Sequence, residues 1–175
     1  MKKALYIISI LSLALLASCQ KDPIGSTATV ALAGEWVVTI DAVDASGNII
    51  YEDPYGAGWD TRVWTYNTSD DVANKLYLDD IENDGDYCFW EYKVLLDCDV
   101  NAMTFAGEAT DLCNDIHVSV TGGKITVNGT KTPSGTPADM IEYYIVFEDD
   151  DYAGSLYDRL YIHGYRYTGL DSDGI

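Results

Sequence analysis

The stretch Asp80-Ile81-Glu82-Asn83-Asp84-Gly85-Asp86 alternates oxygen-bearing side chains, and Glu91 falls at the twelfth position counted from Asp80. Oxygens so spaced can surround a calcium ion, with the last glutamate closing the shell. Such a loop needs a helix on each side to set its angles. The flanks here, KLYLDDI and CFWEYKV, are rich in strand formers instead. The expectation is an acidic hairpin tip, with no metal site and no cofactor. Glu148-Asp149-Asp150-Asp151 reads in the same way, as an acidic, solvated turn.

Hydrolysis would need a nucleophile beside a base. The sequence contains no G-x-S-x-G elbow. Both histidines, His117 and His163, fall in strand-like runs. His117, between Ile116 and Val118, is expected to point outward, and His163 sits among Tyr161, Tyr165 and Tyr167. No Ser–His–Asp set can be assembled from them. With 29 acids in the chain, carboxylate pairs occur everywhere and do not by themselves mark glycoside cleavage. Catalytic residues are left unassigned, and an enzyme is the lesser expectation.

A third chemistry is carried by one thiol. Lys2 and Lys3 precede an apolar run, Ala4 to Leu16, too short to serve comfortably as a permanent membrane span. A positive start, a short apolar middle and small residues at the exit make a secretory signal. The exit, Leu16-Ala17-Ser18-Cys19, resembles the lipobox of bacterial lipoproteins. The resemblance implies cleavage before Cys19 and lipidation of that cysteine, leaving a membrane-anchored, exported protein. Gln20, where an aspartate would argue for inner-membrane retention, and the "CQKD" run, which resembles surface-export tags of Bacteroidetes lipoproteins, point to the outer membrane or cell surface. The expected organisation is a signal peptide over 1–18, a lipidated tether over 19–31, and one domain over 32–170.

Cleavage would take the 175-residue chain to 157. It removes two of ten Lys and Arg and none of the 29 acids, for a net charge of −21. Such a surface repels nucleic acid and anionic head groups, so a nucleic-acid partner is excluded. An exported compartment permits disulfides. Cys88, Cys98 and Cys113 remain, an odd number, so at most one internal bridge forms. A strand hairpin turning between Asp99 and Ala102 puts Cys88 and Cys113 at one barrel end and Cys98 at the other. Cys88–Cys113 is then the candidate bridge, with no bridge as the equal alternative.

What must position these groups is a set of strands. β-branched and aromatic runs recur between Asn, Asp, Gly and Pro clusters, and no long segment carries a helical period. Strands are expected over 36–43, 48–52, 61–67, 75–81, 88–97, 103–109, 115–121, 124–131, 141–148 and 157–168. Gly122-Gly123 is read as a hairpin turn. "TPSGTPAD" is either a plain loop or one helical turn. A meander of about eight to ten strands removes its edges best by closing into a single antiparallel up-and-down barrel. Such a barrel is filled by side chains or holds one small ligand. Tyr55, Trp59, Trp64, Tyr66, Trp90, Tyr92 and Tyr143, with Tyr144, lie in or beside these strands. As the lining of a barrel mouth they would suit a lipid or other small hydrophobic or amphipathic ligand. On the outside they would suit a glycan.

Taken together, "LAGEWVVTIDAVDASGN", "YEDPYGAGW", "WTYNTSDDVANKLYLDD", "TPSGTPAD" and "GYRYTG" resemble the Bacteroidetes family named lipid-binding putative hydrolases. The resemblance runs over about 31–170. It implies an exported lipoprotein with a lipocalin-like barrel and leaves lipid or ester hydrolysis as an alternative function. Gly34-Glu35-Trp36 independently resembles the G-x-W of a first lipocalin strand. That comparison implies that Arg166, in the last strand, stacks on Trp36 and closes one end.

Overall fold

The computed structural model describes residues 26–57, 61–80, 88–170 and 173. Nine strands form the fold: β1 (Gly34–Val43), β2 (Ile49–Glu52), β3 (Thr61–Asn67), β4 (Lys75–Asp79), β5 (Lys93–Asp99), β6 (Thr104–Thr110), β7 (His117–Lys131), β8 (Pro137–Phe147) and β9 (Arg159–Arg166). Neighbours in sequence pair antiparallel from β3 to β9, and β9 returns to β1. The result is an all-β, closed, eight-stranded antiparallel barrel. Closure leaves none of the eight strands as a free edge. β2 is the ninth strand. It continues the line of β3 along β1, pairing with Asp41–Val43 where β3 pairs with Gly34–Val38.

Strand alternation decides what faces inward. Trp36, Val38, Ile40 and Ala42 of β1 are buried in the core, as are Ile141, Tyr143, Ile145 and Phe147 of β8. Between them Glu142 and Tyr144 face out. The shaft is filled by large side chains, as an eight-stranded barrel permits.

One end is shut by the pair anticipated from the G-x-W. The Arg166 guanidinium lies 4.3 Å from the Trp36 ring centroid. It also donates to the Ala33 carbonyl at 2.5 Å and to Asp139 at 3.1 Å. The Trp36 indole donates to Thr65, whose hydroxyl donates to the Leu32 carbonyl. The chain before β1 turns over this end, burying Thr29 and Leu32 completely. The tether expected to reach residue 31 therefore gives way to packed structure by Thr29.

Two strand assignments are corrected. The runs 115–121 and 124–131 are one strand, β7. Gly122, at φ +65°, makes a bulge, and β8 pairs with β7 on both sides of it. Gly123 pairs with Phe105 of β6, so closely that a Cβ there would meet the Phe105 carbonyl oxygen at 2.3 Å. The run 88–97 becomes a strand only at Lys93. Of the two readings of "TPSGTPAD", the plain loop is the one that forms, and it enters β8 at Pro137.

Candidate functional site

The end opposite Trp36 is built by the connections 44–48, 53–57, 88–92, 111–116 and 148–158, with Asp80 closing β4. Asp80 organises it. Its buried carboxylate accepts the backbone N–H groups of Phe89, Trp90, Glu91 and Tyr92 at 2.6–3.3 Å. The first acid of the calcium-like run therefore serves as a hub for backbone donors. Residues 81–87, which carry the rest of that run, lie outside the described residues. Burial pushes the Asp80 carboxyl up to about 6, with the four donors pulling the other way.

Holding 89–92 in this way throws an aromatic cluster across the barrel end. The Trp90 ring stacks on Phe147, centroids 4.5 Å apart and planes 6° from parallel. Phe89 packs edge-on against Trp90, Tyr92 and Phe147. Tyr55 meets Trp90 edge-on at 5.1 Å. Beneath the cluster, the buried hydroxyls of Tyr92 and Tyr143 bond at 2.7 Å. Burial raises both phenols, so they stay protonated.

Carboxylates fix the polar edges of the rings. Asp149 accepts the Trp90 indole N–H at 3.0 Å. Asp150, itself buried, accepts both Tyr55 and Tyr157 hydroxyls, at 3.0 and 2.7 Å. Those two hydroxyls also touch each other. Desolvation pushes the Tyr55 phenol up to about 12. The acidic turn 148–151, expected to be merely solvated, is thus in part structural. Sequence patterning left the roles of Asp149 and Asp150 unseen because a run of consecutive acids reads as solvated surface. Phe89, Phe147 and Tyr157 join the cluster from strand-like runs in which nothing in the sequence sets them apart from other core aromatics.

The seven aromatics proposed for a mouth divide into groups. Tyr55, Trp90, Tyr92 and Tyr143 come together at or just below this end. Trp64 and Tyr66 do not. Val63 and Thr65 take the inward positions of β3, so Trp64 and Tyr66 stand on the outer wall. There the Tyr66 hydroxyl donates to Asp79, and Lys93 lies over the Tyr66 and Tyr77 rings. Trp59 lies outside the described residues. Tyr144 is also external, between Arg159 and Tyr161. Cys19 lies outside the described residues too.

The Cys88–Cys113 bridge does not form, because Cys98 and Cys113 are unbridged thiols. Both 88–92 and 111–116 do sit at one end, where Asn114 donates to the Glu91 carbonyl at 2.9 Å. Asp80 holds 89–92 inward, while Cys113 is exposed. The hydrogen-bond partners of the two imidazoles are carboxylates on the outer wall. His117 meets Glu108 at 2.7 Å and His163 meets Asp41 at 3.0 Å. What the aromatic end offers chemically is apolar ring surface edged by fixed carboxylates and hydroxyls, a surface for holding an amphipathic molecule.

No curated protein matches the chain. A family model described as "Lipid-binding putative hydrolase" matches residues 21–171, which takes in the whole barrel and both of its ends. The chain belongs to the lipid-binding putative hydrolase family.

Proposed function

We propose that this chain is an exported lipoprotein, held on the outer membrane or cell surface by acylated Cys19, whose barrel binds a lipid or other small amphipathic molecule at its aromatic end. The observation that carries the reading is the half-buried Trp90 ring stacked on Phe147 over the Tyr92–Tyr143 pair. The shaft below is packed, so a guest enters by displacing the Phe89–Trp90 cluster. Phe89 and Trp90 both lie on one short segment, 88–92, which Asp80 pins. Membership of a lipid-binding family supports the same ligand class.

The tether adds an orientation. The chain enters the barrel at the Trp36 end, through the turn at Thr27–Ala33. An anchor at Cys19 would hold that end toward the membrane and turn the aromatic end away from it. A glycan-capturing wall has less support, because Lys93 and Tyr77 already cover Tyr66. Two measurements test the proposal. Native mass spectrometry of gently purified protein should find one small amphiphile per chain. Labelling with a fatty-acid analogue should tag the protein and spare Cys19→Ala. Equal labelling of that variant would remove the anchor from the account.

A further inference from the structure

Charge is distributed unevenly along the barrel axis. At the aromatic end, the described residues of the five connections, with Asp80, hold eleven carboxylates and no Lys, Arg or His. Five of these acids lie in 148–158 alone. At the Trp36 end, the described residues outside the strands hold three acids. The cations bordering the aromatic end are already engaged. Lys93 is 3.5 Å from Asp79. Arg159 covers Tyr144 and donates to the Ala45 carbonyl.

The same end carries exposed apolar surface. Ile49, Ile50 and Tyr51 of β2, with Tyr152 and Leu156 of the 148–158 connection, are each 44–54% exposed. A cleft of about 150 Å³ runs between the two groups, lined by Ile50, Leu156, Asp44 and Asp158 among others. Ser46 and Asn48 use the Asp44 carboxylate. Asp158 is left to face a guest.

We infer that the aromatic end selects amphiphiles whose headgroup is positively charged, an amine or a quaternary ammonium, over neutral and anionic ones. This rests on the reading of that end as the lipid site. The aromatic cluster and the apolar rim take the tail. The acidic connections take the head, and the ring faces of the cluster favour a cation further. A fatty-acid anion or acidic phospholipid meets like charge at the same place. Charge of one sign around a mouth also concentrates the oppositely charged guest before contact.

The test is calorimetric titration of the purified full chain, below micelle formation, with three probes of equal tail. These are dodecyltrimethylammonium, dodecyl maltoside and laurate. The ammonium probe should bind at least about tenfold tighter than the maltoside, and laurate weakest of all, with the gap narrowing as salt rises. Asp151→Asn with Asp158→Asn, checked for folding by circular dichroism, should reduce that preference several-fold. Equal binding of the maltoside, or full preference in the folded double variant, would overturn the inference and leave the lipid site standing. Tetramethylammonium binding as tightly as the dodecyl probe would overturn it as well. If no dodecyl probe binds, the lipid site itself is wrong.

Discussion

Arg166 and Trp36 face each other directly across the β9–β1 pairing, with the guanidinium 4.3 Å from the indole ring centroid. The arginine also ties down the Ala33 carbonyl and Asp139. Arg166→Ala should cost about 2–4 kcal/mol in urea unfolding, from a cation–π contact and hydrogen bonds to a charged group. Arg166→Lys should recover little, since an ammonium cannot make the same planar set of contacts. Full recovery by lysine would show that charge alone matters there.

The glycine of the G-x-W exists to make room for that arginine. A Cβ on Gly34 would lie 2.2 Å from Arg166 Nη1. Gly34→Ala should destabilise the wild type and be nearly neutral in an Arg166→Ala background. The double-mutant cycle should return a coupling of about 1–3 kcal/mol. Additive costs would mean the glycine serves something else.

Gly164 answers to backbone, not to a movable side chain. A Cβ there would fall 1.9 Å from the Val37 carbonyl oxygen. Gly164→Ala should part β9 from β1 and yield little soluble protein. A variant with near-native melting temperature would show that the closure between these strands is looser than described.

Asp80 makes the aromatic end sensitive to pH. Burial lifts its carboxyl to about 6 in the native state, against the ordinary 3.8. Between those values the native state binds more proton than the unfolded chain, so stability attributable to Asp80 falls as pH rises from about 4 to 6. Two pH units correspond to roughly 3 kcal/mol. The carboxyl carbon of Asp80, followed by NMR, should titrate near pH 6, and the amides of Phe89, Trp90 and Tyr92 should follow it. A midpoint below 4 would mean that the four N–H donors outweigh burial.

The barrel was legible because β-branched and aromatic runs recur between Asn, Asp, Gly and Pro clusters; the inner face of β1 was less so, since Val37, Asp41 and Val43 of its other face are buried as well. The closing pair was legible too, since a G-x-W near the start and an arginine near the end are visible without coordinates. Alternation also holds the reason Trp64 and Tyr66 leave the site. Both sit one residue from the inward Val63 and Thr65. Gly122-Gly123 misled because a turn and a bulge ask for the same residues, and only the continuing β8 partner separates them. The Asp80 hub was hidden for a different reason. A buried carboxylate that binds backbone N–H groups ten or so residues on leaves no side-chain pattern in sequence.

The central claim is that the end bearing Trp90 takes an amphipathic guest. The most direct measurement is backbone NMR of the folded chain titrated with dodecyltrimethylammonium. The account predicts saturable amide shifts in 44–48, 88–92 and 148–158, with Trp36 and Arg166 unmoved at the far end. Saturable shifts around Trp36 and Arg166, or on the outer wall at Trp64 and Tyr66 with the Trp90 segment unchanged, would contradict it.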